Sequence, residues 1–124
     1  MKTTLFVIFT TAFLAPNALA QTGTYVCNYT TYSDATGNHK VKSSFSLTFI
    51  VDKSSNKSYM LGILGTTEVV MIRSIDQIAF IDKTGTGNLM TTSITSNLTS
   101  VHSRNTVILG ELTPSQYYGK CELL

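Results

Sequence analysis

Val101–Cys121 reads VHSRNTVILGELTPSQYYGKC. This closing stretch holds one of the two cysteines, one of the two histidines, one of the two arginines and a pair of tyrosines. The other cysteine, Cys27, stands near the start of the chain that remains once a leader is removed. Two cysteines in an exported chain most simply make one disulfide. Joined, Cys27 and Cys121 close the molecule on its own beginning. Loop-closure entropy sets the worth of so long a closure at about 4–5 kcal/mol, with native strain acting against it. The rival arrangements are two buried free thiols, or pairing between chains. Two thiolates with His39 and His102 far off in sequence lack metal-ligand spacing, so no metal and no cofactor are expected.

The opening of the chain supplies the case for export. Lys2 gives a short positive end, and Leu5–Leu14, LFVIFTTAFL, is an apolar run of signal-peptide length. Ala18-Leu19-Ala20 then fits the small-x-small cleavage pattern. The reading is a signal peptide over 1–20, cleavage before Gln21 and a single β domain over 21–124, located in the periplasm or secreted. The run is too short to span a bilayer, Pro16 and Asn17 follow it closely, and no cysteine at the cleavage point offers a lipid anchor. No later stretch is long and apolar enough for a span, so none is expected in the mature chain. Without Lys2, eight basic residues face seven acidic ones. That balance gives no electrostatic footprint for nucleic acid or an anionic membrane.

Helical periodicity is absent, and strand signals recur with turn chemistry between them. Thr24–Thr30 is the first expected strand, followed by a turn over Ser33–Asn38. Lys42–Asp52 is the clearest: Phe45, Leu47, Phe49 and Val51 alternate with Ser44, Ser46 and Thr48. Tyr59–Leu64 follows a polar turn, and Gly65-Thr66 is expected to reverse the chain. Thr67–Arg73 and Gln77–Asp82 are apolar on two faces, which predicts places at the centre of the sheet. Leu89–Thr95 and Ser100–Leu109 come next. Gly110–Pro114 is expected to break the last of these before Gln116–Cys121. Connections this short force antiparallel neighbours. The expectation is an all-β, antiparallel up-and-down sheet of about eight strands, closed or nearly closed as a small barrel, with a β-sandwich as the alternative. Closure removes the two exposed edges that such a sheet would leave.

Catalytic signatures are thin. His102 and Arg104 lie two apart, so they share a strand face at a spacing of about 7 Å. With Tyr117 or Tyr118 nearby they form a candidate site for an anionic group, and His102 is a candidate base. The bland reading is a solvated strand face. Tyr117 and Tyr118 point to opposite faces if the segment is extended, one inward and one outward beside Lys120 and Arg104. A nucleophile triad lacks the Gly-x-Ser-x-Gly turn. Asp76 and Asp82 share a face but stand too far apart, by about 20 Å of strand, for glycosidase carboxylates. Gly85-Thr86-Gly87 reads as a hairpin turn, because the lysine and the strand–loop–helix setting of a phosphate loop are missing.

An opening Tyr-x-Cys (Tyr25, Cys27) and a closing Tyr-x-x-Cys (Tyr118, Cys121) on a short exported chain resemble the periplasmic inhibitors of C-type lysozyme. The resemblance covers the termini. That family's inhibitory Ser-Gly-x-x-Tyr and Trp-x-Lys-Gly stretches have no counterpart here, and the chain has no Trp. The closing segment also resembles tails of small exported bacterial proteins of no assigned function, which implies a bacterial envelope setting and no activity. Three functional expectations follow. The first is a non-enzymatic binding or inhibitor module of the cell envelope, with an envelope or extracellular protein as partner. The second is a lipocalin-like carrier of a small apolar ligand, although Phe45, Leu47, Phe49, Ile78 and Phe80 are expected to fill the interior. The third is a small hydrolase using His102.

Overall fold

The structure is a computed structural model that describes residues 23–124. The expected signal peptide and its cleavage point lie outside the described residues. Eight strands follow one another: β1 (Gly23–Asp34), β2 (Gly37–Asp52), β3 (Lys57–Gly62), β4 (Gly65–Arg73), β5 (Gln77–Lys83), β6 (Leu89–Thr95), β7 (Thr99–Ile108) and β8 (Glu111–Leu123). Each pairs antiparallel with the next, and β8 returns to pair with β1. The sheet is therefore a closed up-and-down barrel, and the sandwich alternative falls away.

Local chemistry explains the tight reversals. Asp34 Oδ1 accepts hydrogen bonds from the Thr36 backbone N–H at 2.8 Å and its hydroxyl at 2.7 Å. Gly37 takes φ 119°, which a side chain would resist. Asp34 and Gly37 are thus paired across two turn residues. Asp52 folds the next turn in the same way, accepting from the Ser54 N–H at 3.0 Å and the Ser54 hydroxyl at 2.7 Å.

The start of β1 and the β2–β3, β4–β5 and β6–β7 turns gather at one end of the barrel; the other four turns gather at the opposite end. The first end is packed. Phe49 and Phe80 reach across the interior and stack with ring centroids 4.5 Å apart. Val51, Ile78 and Ile94 are buried around them, and Tyr25 and Leu98 pack against that cluster. Cys27 stands directly opposite Cys121 in the β1–β8 register, and the two form a buried disulfide with Cα atoms 3.9 Å apart. The bond fits an oxidising, exported environment.

Three local expectations are corrected. β4 and β5 are not central: in a closed barrel every strand has an outer face, and Val70 and Ile72 on that of β4 are 50% and 54% exposed. The reversal expected at Gly65-Thr66 is made by Ile63-Leu64, and Gly65 already pairs with Gly62. Gly110 does turn the chain, but Glu111–Pro114 continue as strand. Proline is tolerated there because the β8–β1 ladder begins only at Ser115, leaving Pro114 paired on one side.

Strand lengths are unequal, and this shapes the open end. β2 has 16 residues, β8 has 13 and β1 has 12, against six in β3 and seven each in β5 and β6. One side of the barrel therefore stands taller than the other. The β4–β5 ladder joins only Val70–Arg73 to Ile78–Ile81, while the upper part of β4 pairs with β3 alone. The wall parts between β4 and β5 towards the open end.

Candidate functional site

The tall wall carries a run of stacked rings, and one extra residue creates it. In the β1–β8 ladder Tyr29 pairs with Gly119 but Thr31 pairs with Tyr118, so Thr30 is bulged out. The alternation slips by one, and Tyr32 faces inward opposite Tyr117. Their rings stack at 5.2 Å, and His39 stacks on the other side of Tyr32 at 4.9 Å. The Arg104 guanidinium lies 4.8 Å from the Phe45 ring centroid and 4.9 Å from that of Tyr117. Cation–π attraction to two rings at once holds it against this wall.

His102 sits beneath Arg104 and is 1% exposed. Its Nε2 accepts from Arg104 Nε at 3.3 Å, which leaves Nδ1 to donate to Thr92 Oγ1 at 2.7 Å. Both ring nitrogens are engaged and the ring is neutral. Burial, aided by the neighbouring guanidinium, brings its pKa down to about 4. Tyr29 shares this layer; its hydroxyl meets Ser100 Oγ at 3.0 Å, and burial pushes it up to about 12.

Above this layer the interior is not filled. A cavity of about 490 Å³ opens to the parted side of the wall. Phe45, Leu47, Met60, Met90 and the Ile63-Leu64 turn give it apolar walls. Asp82, His102 and Arg104 bring its titratable groups, and Thr67 and Thr84 add hydroxyls. Leu47 is buried in the core and Phe45 packs against it, as expected, but the expectation that they leave little room is corrected, because both also line this space. The reason is the length mismatch, since β3 ends at Gly62 and leaves nothing opposite the upper tall wall to fill it.

Asp82 is the least expected member. It is 5% exposed, and among the described residues its Oδ1 has no hydrogen-bond partner. Burial alone pushes its carboxyl pKa up. Register places Asp82, Met90 and Arg104 at one level on β5, β6 and β7, so Met90 separates the acid from the guanidinium.

The four candidate residues from the sequence thus divide. His102, Arg104 and Tyr117 converge inside the barrel, and the solvated-face reading of the first two is corrected. Tyr118 is outside, 39% exposed, donating to Gln116 Oε1 at 3.0 Å and meeting Ser33 Oγ at 3.0 Å. It shares no patch with Arg104, which lies on the other face of the sheet. Asp82, Tyr32, Met60 and Met90 were missed as site residues. For Asp82 a signal existed: Ile78, Phe80 and Asp82 share one strand face.

No family model, curated protein or solved structure matches the chain. Among the described residues no helix is long and apolar enough to cross a membrane, and no cluster of His, Cys, Asp and Glu could hold a metal ion.

Proposed function

We propose that the chain is an exported, non-enzymatic binding module, periplasmic or secreted, that carries a small apolar ligand in the open end of its barrel. The observation behind this reading is the cavity of about 490 Å³ with walls of Phe45, Leu47, Met60, Leu64 and Met90. That volume is within the range of small-molecule sites, about 300–1,000 Å³, and the mix of apolar wall with few polar groups is typical of them. The occupied nitrogens of His102 favour a wall residue over a base. A neutral apolar fluorophore, N-phenyl-1-naphthylamine, tests the reading. Saturable one-to-one binding is expected, and Thr67→Trp, which puts an indole into the cavity wall, should abolish it. Absence of saturable binding, or binding indifferent to Thr67→Trp, would defeat the proposal.

A second reading, a module that grips another envelope protein, draws on the exposed rim of the open end, where Ile63 and Leu64 also border the cavity. The open end presents Leu64 and Leu109 fully exposed at two hairpin tips, with Ile63, Ile108 and Leu112 beside them. Apolar side chains gathered at one end suit a protein contact. A purified partner whose complex survives Thr67→Trp but not the pair Leu64→Asp and Leu109→Asp would favour this reading over the first.

A further inference from the structure

We propose that the ligand of the barrel cavity is an amphiphile with a basic nitrogen, an ammonium or comparable N–H cation, that meets the Asp82 carboxylate while its apolar body lies against Leu47, Met60 and Leu64. The inference rests on the cavity being the binding site and adds the chemistry of the head group.

A carboxylate taken out of water and left unpaired destabilises a fold unless something compensates it. Asp82 is buried, it lines the cavity, and its Oδ1 lacks a partner among the described residues. The sequence places no compensating group beside it. Met90 is its cross-strand neighbour on β6, and Phe80 stands below it on the same face of β5. On the β4 side the ladder stops at Val70↔Ile81, one residue short of Asp82. The acid therefore stands where the wall parts, at the margin of the opening.

Arg104 is the nearest cation in the cavity wall, yet the two are not within ion-pair distance. Two strand spacings, about 9.6 Å, separate their backbones. The guanidinium turns the other way, into the Phe45 and Tyr117 rings and onto His102. Asp82 thus presents an unpartnered carboxylate oxygen to a cavity walled largely by apolar side chains, and a cationic N–H donor is the group that completes it with a charge-assisted hydrogen bond.

Decylamine, decan-1-ol and decanoate share one tail and differ in the head, so their binding by displacement of N-phenyl-1-naphthylamine isolates the head group. Decylamine should bind at least about tenfold tighter than decan-1-ol, the size of one charge-assisted contact. Asp82→Asn should bring the two to parity while leaving decan-1-ol unchanged, and circular dichroism should show the variant folded. Decanoate or decan-1-ol binding the unaltered protein as tightly as decylamine would overturn the inference and leave the cavity reading standing. So would an amine preference that persists in Asp82→Asn. If neither the fluorophore nor any of the three amphiphiles binds, both proposals fail together.

Discussion

His102 shows what one buried side chain does to the whole stability curve. Its pKa stands at about 4 in the fold against 6.5 when free. Between those values the unfolded chain takes up a proton that the folded chain refuses. Stability from this group is therefore complete above pH 6.5 and falls as pH drops towards 4, by about 3 kcal/mol in all. Asp82 works in the opposite sense, since burial raises its pKa and the fold gains as it protonates. Urea unfolding at pH 7, 5.5 and 4.5 should show the midpoint falling with acid, and His102→Gln should remove that fall. A midpoint equally acid-sensitive in the variant would mean that other groups cause it. The pairing of His102 with Arg104 on one face was legible, because strand alternation fixes it whatever the fold. Which side of the barrel that face occupies was not. Serine and threonine are on both faces of β7, so no apolar pattern marked the interior.

The β1–β8 junction is the element on which the rest leans. Here the bulged Thr30 turns Tyr32 inward, and Gly119 lets the two backbones approach. A methyl group on Gly119 would come within 1.9 Å of the Asn28 carbonyl oxygen and 2.8 Å of the Tyr29 Cα. Those are main-chain atoms of a paired strand and cannot step aside. Gly119→Ala should cost about 3 kcal/mol, at the upper end for overpacking. Gly85→Ala is the control, because nothing lies within 4 Å of the added atom and φ there is ordinary; it should leave the urea midpoint nearly unchanged. Equal midpoints for the two variants would show that the junction yields. Most strands were legible as elements, since Asp, Ser and Gly punctuate them with recognisable turn chemistry. The exceptions are instructive. Ile63-Leu64 reads as strand because it is aliphatic, yet it makes a turn between two glycines. Thr30 gives no local sign of a bulge, because the irregularity exists only in its pairing with β2 and β8, and β8 is some ninety residues away.

For the molecule as a whole, an up-and-down run of about eight antiparallel strands was legible, while the choice of barrel over sandwich and the vacant interior were not. Short links and two cysteines favour a ring, but strand alternation is the same in a barrel and a sandwich. How much of the ring's inside is filled depends on strand register and unequal height, which are three-dimensional quantities. The disulfide joins residues 94 apart in sequence. Replacing Cys27 and Cys121 together by Ala should lower stability by about 4 kcal/mol, mainly by freeing the unfolded chain. Thermal unfolding with and without the pair measures this; an unchanged midpoint would assign closure to the β1–β8 hydrogen bonds alone.

The same bond has a consequence for what happens after damage. Every turn between Ala35 and Gly110 lies within one covalent loop. A protease that severs any single one of them adds a water molecule but releases no fragment. The nicked protein travels as one band until a thiol reductant parts it into two.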